Sequence, residues 1–286
     1  MKLSVIIPCY NAAATIDELL SAFAQESWAE PWELLVSNNG CTDATTDVVA
    51  RFRDALPNLR VVDASDRRGR SHARNVGARE ANGELLAFVD ADDVIGEGWV
   101  AAIGNALLRH DFVASRFDCD RLNWNLGHWR RCPQSQGLQE YKYPRFLPHS
   151  GGSGLGVKRA IHERIGGFDE DWPRLQDTDY CWRAQLAGID LQFIPEAVVH
   201  VRLRESPVAN CRQAYEWGQY NVLLYKKYRA HGMPKLSVRQ GMGHWVALAT
   251  RLPQLRKARG RARWLREASW KLGRVKGCIK YRTLAF

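Results

Sequence analysis

A chain of 286 residues with 45% hydrophobic and 25% charged content can bury one large core or two modest ones, which excludes disorder as its organising state. The net charge of +10 is uneven: residues 205 to 286 hold 18 Lys and Arg against Glu205, Glu216 and Glu267, a charge of +15, so residues 1 to 204 carry −5. An acidic front part suits a cationic metal, and a basic tail suits an anionic partner such as phospholipid head groups, lipid-linked diphosphates or nucleic acid. The seven cysteines are odd in number, scattered and never in a Cys-x-x-Cys pair, which predicts a reduced, cytosolic compartment. No signal peptide is expected from residues 1 to 8, and no apolar run approaches the roughly 18 residues of a membrane span.

Taken in order, Leu3 to Pro8 is a β-branched strand stopped by a proline that cannot donate to a ladder, and Cys9-Tyr10-Asn11 begin a loop. Residues 12 to 23 place Ile16, Leu19, Leu20 and Phe23 on one helical face. A strand over Trp32 to Val36 runs into a turn-rich stretch, Ser37 to Asp43, and then a helix ending near Phe52. Leu59 to Val62 is a third strand, and Arg70 to Ala81 a helix stopped by Asn82-Gly83. The strand Leu85 to Val89 ends abruptly in Asp90, Asp92 and Asp93, hard oxygen ligands of the kind magnesium or manganese takes. An isolated Asp-x-Asp also suits a plain polar turn.

Four strands alternating with helices predict βαβ units, a mostly parallel sheet and right-handed crossovers. The loops after strands one, two and four should then converge at one sheet edge, bringing Tyr10, Asn11, Asn38, Asp90 and Asp92 together. Trp99 to Leu108 reads as the next helix. Extended, aromatic-rich patches are expected over Phe112 to Asp118 and Leu122 to Arg131.

The segments Ser4-Val-Ile-Ile-Pro-Cys-Tyr-Asn11, Asn39-Gly-Cys-Thr-Asp43, Ala73-Arg-Asn-Val-Gly77 with Gly83, and Phe88-Val-Asp-Ala-Asp-Asp93 resemble, in order and spacing, the donor half of family 2 glycosyltransferases. Gly151-Gly-Ser-Gly154, Ile165-Gly-Gly-Phe-Asp-Glu170, Gln176-Asp-Thr-Asp179, Arg183 and Gly188 resemble the acceptor half. The resemblance covers about residues 3 to 203 and implies an α/β GT-A fold, Rossmann-like, with the basic helical tail as an extension. It divides the chain into residues 1–204, with a nucleotide-sugar half at 1–110 and an acceptor half at 111–204, and a helical, membrane-associating region at 205–286.

The implied activity is inverting transfer of a single sugar from a nucleotide diphosphate to a hydroxyl acceptor, with a lipid-linked saccharide of cell-envelope or exopolysaccharide synthesis as acceptor. The resemblance gives Pro8, Tyr10, Asn11, Asn38, Arg70, Arg74 and Asp90 to the nucleotide sugar, and Gly152, Ser153, Trp172, Gln176 and Arg183 to the acceptor. Asp90, Asp92 and His200 become ligands of Mn2+ or Mg2+. Asn38 stands where the family usually has an acid and Gln176 where it has a Glu, so base identity and acceptor contacts are open. Asp177 is the implied base, needing to reach the acceptor hydroxyl opposite the leaving group, although an Asp there also suits a helix N-cap. Asn75 reads as a structural tie from its helix to the strand-four loop. His200, Tyr10 and Trp172 each have packing as an equally good account.

In the tail, helices over Val208 to Tyr228, Trp245 to Leu255 and Trp270 to Tyr281 interleave basic residues with Trp and Leu, as helices in a membrane interface do. A solvated charged face is the plainer account, and no nucleic-acid module accompanies the charge. The expected location is therefore cytoplasmic, peripheral on the inner face of a membrane. A sugar-1-phosphate nucleotidyltransferase and a catalytically silent nucleotide-sugar-binding protein share the layout. The first lacks its Gly-rich basic loop after strand one, and the second would have no need of the acids.

Overall fold

The computed structural model describes residues 1–126, 132–142 and 144–285, and the chain divides into two compact units, residues 1–139 with 148–203, and residues 140–147 with 204–286. The second unit therefore includes residues 140–147, a segment that the sequence alone assigned to the acceptor half.

In the first unit the strands are β1 (Leu3–Cys9), β2 (Trp32–Asn38), β3 (Leu59–Asp63), β4 (Leu85–Phe88), β5 (Val94–Ile95), β6 (Phe112–Asp118), β7 (Leu155–Lys158) and β8 (Leu191–His200). They form one sheet in the order β3-β2-β1-β4-β7-β6-β8-β5. The β3-β2-β1-β4 portion is parallel, as the alternation of elements predicts, and β6 runs parallel to β8. β7 is antiparallel to both β4 and β6, and β5 to β8, so the sheet is mixed.

The helices are α1 (Ile16–Phe23), α2 (Thr45–Ala50), α3 (Arg70–Glu80), α4 (Trp99–Arg109), α5 (Arg159–Arg164) and α6 (Gln176–Leu186). The apolar face of α1 is fully withdrawn from water, with Ile16, Leu19, Leu20 and Phe23 all 0% exposed. Each such side chain contributes about 2 kcal/mol of transfer free energy. The crossover helix α3 lies close on the sheet because Gly77 has no side chain: a Cβ there would come within 2.4 Å of Ser37 Oγ and 2.5 Å of Ile6 Cγ2. The expected extended patch at 122–131 is instead 3-10 helix over Arg121–Leu126, and 127–131 lie outside the described residues. The scattered cysteines predict a reduced compartment, yet Cys119, just past β6, and Cys132 have Cα atoms 5.6 Å apart and are bonded; Cys9, Cys41, Cys181, Cys211 and Cys278 are free.

The second unit is helical: α7 (Pro207–Tyr228), α8 (Val238–Thr250) and α9 (Ala258–Tyr281), with 3-10 turns at Arg229–His231 and Leu252–Arg256. Pro207 occupies the first turn of α7, where its missing N–H costs nothing, and Ser206 Oγ accepts the Ala209 amide. α7 and α9 approach backbone to backbone. A Cβ on Gly218 would sit 2.0 Å from the Trp270 carbonyl and one on Gly273 1.9 Å from that of Tyr215. Tyr141 donates to Asn221 and Phe146 packs on Tyr228, fastening residues 140–147 to α7. Among the described residues no helix is long and apolar enough to cross a membrane.

Candidate active site

Parallel strands that start in register end together. β1 pairs with β2 through Cys9↔Asn38 and with β4 through Ile6↔Phe88, so the segments that follow, Tyr10-Asn11, Asn39 to Asp43 and Val89 to Asp93, emerge along one edge. The Asn39-to-Asp43 motif is scaffolding for that edge. Asn39 donates to the Ala64 and Arg67 carbonyls and accepts the Gly69 amide, fixing where α3 begins. Asp43 accepts from the Ala13 amide and from Thr45, while Thr45 Oγ1 accepts the Ala12 amide.

At the centre, Asp90 receives Arg74 Nη2 at 2.6 Å and faces Arg70 at 3.7 Å. Burial works against the Asp90 charge, but the two guanidinium groups outweigh it and hold the carboxyl below the usual carboxylate range. Arg74 is fully buried, 5.0 Å over the Phe168 ring, and its Nε and Nη1 have no hydrogen-bond partner among the described residues. Room for it comes from Gly152, where a Cβ would lie 2.4 Å from the guanidinium. Ser153 accepts the Asp90 amide, and Gly154 donates to the Phe88 carbonyl, so the 151–154 turn is clamped over the end of β4.

Asp90, Asp92 and Asp93 bring carboxylate oxygens within 4.8 Å of one another. Burial, then the neighbouring Asp92 and Asp90, push the Asp93 carboxyl well above its ordinary value, as expected of a buried acid beside like charges. Hard oxygen donors at this spacing fit a divalent ion such as Mn2+ or Mg2+. His200 lies outside that cluster. It lies on β8, opposite Val94 of β5, and its Nδ1 meets Asp118 Oδ2 of β6 at 2.5 Å.

Asp177 is the second residue of α6, two positions past the cap, which is Leu175 in a left-handed conformation. Its Oδ1 accepts the Thr178 amide. The half-exposed Arg70 guanidinium is held above its ordinary pKa first by Asp90, with Asp92, Asp177 and Asp93 adding to the effect.

Around Tyr10, the ring is about half exposed and the Arg68 guanidinium stands 4.5 Å over its centroid while donating to its hydroxyl. Pro8 is buried in β1. Asn11 has φ +50° and exchanges hydrogen bonds with Thr42, a tie between two loops. Asn38 Oδ1 accepts the Cys41 amide at 2.9 Å, which directs its NH2 group away from that turn.

Of the residues assigned to the acceptor, Gly152 and Ser153 thus meet Arg74 and the aspartate loop. Trp172 and Gln176 are buried. Arg183 binds Asp179 and the carbonyls of Ile165 and Gly167, bracing the Gly-Gly turn. Asn75 is a structural tie, but to a different partner from the one expected: it bonds the Phe168 backbone in both directions and Glu170 Oε1, joining α3 to the 165–170 segment. Sequence reasoning missed Arg68, whose signal was the basic run Arg67-Arg68-Gly69-Arg70. It also missed the part-buried His149, whose pKa burial lowers to about 4 although Asp177 pulls the other way. Arg202, which bonds the Asp92 carbonyl and offers its amide to Asp93, gave no local signal at all.

A GT-A sheet carrying an acidic cluster and two arginines at its strand ends defines a glycosyltransferase. Residues 4–166 match the family model for glycosyl transferase family 2, and the chain belongs to that family. It is 28% identical to an uncharacterized glycosyltransferase, YwdF of Bacillus subtilis, over 188 residues, 64% of this chain and 68% of that protein. The mannosyltransferase PcManGT of Pyrobaculum calidifontis, solved with GDP-Man and Mn2+, superposes with a TM-score of 0.67 at 22% identity over 98% of this chain and 87% of that one. S. aureus TarS 1–349, solved with UDP-GlcNAc, gives 0.54 at 19% identity over 100% and 93%. The chain spans a third or less of the length of several other curated relatives. Membership of the family sets aside the nucleotidyltransferase and the silent binding protein.

Proposed function

We propose that this chain is an inverting glycosyltransferase that moves one sugar from a nucleotide diphosphate sugar to a hydroxyl acceptor, a lipid-linked saccharide in cell-envelope or exopolysaccharide synthesis. The observation that supports it most is the cluster of Asp90, Asp92 and Asp93, with carboxylate oxygens within 4.8 Å of one another and Arg74 and Arg70 at 2.6 and 3.7 Å from Asp90. Asp90 and Asp92 would hold Mn2+ or Mg2+, which when bound offsets the charge developing on the diphosphate leaving group. Arg70 and the unpartnered Nε and Nη1 of Arg74 orient that diphosphate. Tyr10 offers a flat face to the base, with Arg68 and Asn38 beside it. Asp177 accepts the acceptor hydroxyl's proton as the bond from the sugar C1 to the diphosphate breaks, so attack comes from the opposite side and the anomeric configuration inverts.

On this reading residues 1–110 bind the donor, 111–204 the acceptor, and the +15 charge of residues 205–286 keeps a cytoplasmic enzyme at an anionic membrane surface. Because the named structural neighbours carry both a purine and a pyrimidine donor, the test is a panel: thermal unfolding with UDP, dTDP, GDP and CMP, each with and without manganese. One nucleotide raising Tm only with metal is the expected result, since a ligand bound to the native state stabilises it by mass action. No shift with any nucleotide at millimolar concentration overturns the donor site.

A further inference from the structure

We propose that the outer face of α9 is a docking surface for an anionic phospholipid bilayer. This inference rests on the peripheral-membrane part of the function proposed above and supplies the face that would carry it. Between Ala258 and Tyr281 the helix holds eight Lys and Arg and one acid, Glu267. Leu265, Leu272 and Ile279 recur every seven residues, two helical turns apart, and so form one stripe; they are 43%, 54% and 75% exposed. Leu272 and Ile279 line a shallow apolar hollow with Tyr215 and Val275, and its rim is Lys276 and Lys280.

The opposite face of the same helix is already used. Gly273 and Gly277 admit α7, and Arg274 is buried and donates twice to the Ala285 carbonyl. The stripe stays exposed beside that packing, with the Lys276 and Lys280 ammonium groups 5.5 and 5.8 Å from the rings of Tyr215 and Tyr220 on α7.

Aliphatic side chains flanked by long cationic ones are what an interfacial helix presents to a bilayer: the leucines enter the acyl boundary and the lysine stems reach up to the head groups. A second copy is a poorer occupant. Two-fold apposition of this face would set Lys276 and Lys280 of one chain against the same lysines of the other, and a stripe of three aliphatic residues is small for a stable dimer. Nucleic acid would meet the cations but leave the aliphatic stripe in water.

The test is co-sedimentation of the full chain with vesicles of equal parts phosphatidylglycerol and phosphatidylcholine, compared with phosphatidylcholine alone. Wild type should partition onto the anionic vesicles only and be released as salt rises. The Leu272→Asp/Ile279→Asp and Lys276→Gln/Lys280→Gln double variants should each bind at least about tenfold more weakly. Should the aspartates unfold the helix, Leu272→Ser/Ile279→Ser carries the same prediction without added charge. Wild-type binding by all of these variants overturns the proposal. So does a dimer broken by Leu272→Asp, or capture of single-stranded nucleic acid, in a chain that ignores vesicles. Nucleotide-dependent stabilisation, measured on the same samples, separates the two readings: a metal-dependent nucleotide shift without vesicle binding removes the docking surface and leaves the transferase standing.

Discussion

The sheet unit gathers charges of both signs about one site, and the helical unit turns most of its charges outward. Around Asp90, two cations and two further carboxylates are gathered at the strand ends, with Arg74 and Asp93 buried. Along α9, Lys271 and Arg274 are buried, while Arg259, Arg261, Arg263, Arg266, Lys276 and Lys280 face solvent with Glu267 as the helix's one acid. Opposite charges in a confined space fix geometry, because each is costly to leave unpaired. Like charges spread over a surface fix nothing locally, but they raise attraction to an extended anionic partner. The site proposed for chemistry and the face proposed for adhesion thus use the same residue types in opposite arrangements.

The largest effect expected from breaking the gathered arrangement follows loss of a carboxylate. Asp92→Ala should lower transfer by about a thousandfold, since the leaving-group charge would lose its metal. Because Asp92 is exposed, Tm without ligand should stay near the wild-type value. Steady-state transfer and thermal unfolding, measured on one preparation, check both halves.

Gly152→Ala comes next. Its Cβ would fall 2.4 Å from the Arg74 guanidinium and push it off Asp90, so transfer should drop by about a hundredfold through misplacement alone. A structure of the variant in which Arg74 has not moved would show that the glycine serves something else.

Buried polar groups also make the sheet unit sensitive to acid. His162 is enclosed by Phe88, Phe168 and Tyr180, and burial, with Arg183 and Arg159 nearby, lowers its pKa from 6.5 to about 4. The unfolded chain takes up that proton near pH 6.5 and the folded chain only near 4, so stability should be full above 6.5 and fall as pH drops through this window, by about 3 kcal/mol for the one ring. A Tm profile in which His162→Gln flattens that decline supports the assignment; a parallel profile removes it.

The smallest effect belongs to Arg68→Ala, which takes the cation from the Tyr10 ring without touching the aspartates. Nucleotide affinity should weaken by about threefold to tenfold, and kcat should hold. Calorimetric titration with the nucleotide that the panel identifies would read the change directly.

Much of this was legible in the chain itself, and what was not has a common cause. The burial of β1, β2 and β4, the apolar face of α1 and the carboxylates after Phe88 follow from local pattern, which reports what faces inward. Pattern is silent on which strand lies beside which, so the insertion of antiparallel β7 between β4 and β6 could not be read. The same holds for side chains whose partner is distant in sequence. Asn75 bonds a turn more than 90 residues away, and Arg202 reaches the aspartate loop from about 110. His149 gave no signal because the Asp177 charge it feels comes from another element. The cysteine count could not disclose that Cys119 and Cys132 sit together, since they are 13 residues apart with no spacing motif to mark them.

The central claim is that Asp177 is the base, acting on a donor held by other residues. Its most direct test is to measure nucleotide-dependent stabilisation and sugar transfer side by side in Asp177→Asn, a change that keeps the shape and removes the proton acceptor. The account predicts that stabilisation by nucleotide and manganese matches wild type while transfer falls by at least about a hundredfold. Transfer at the wild-type rate in that variant would contradict it.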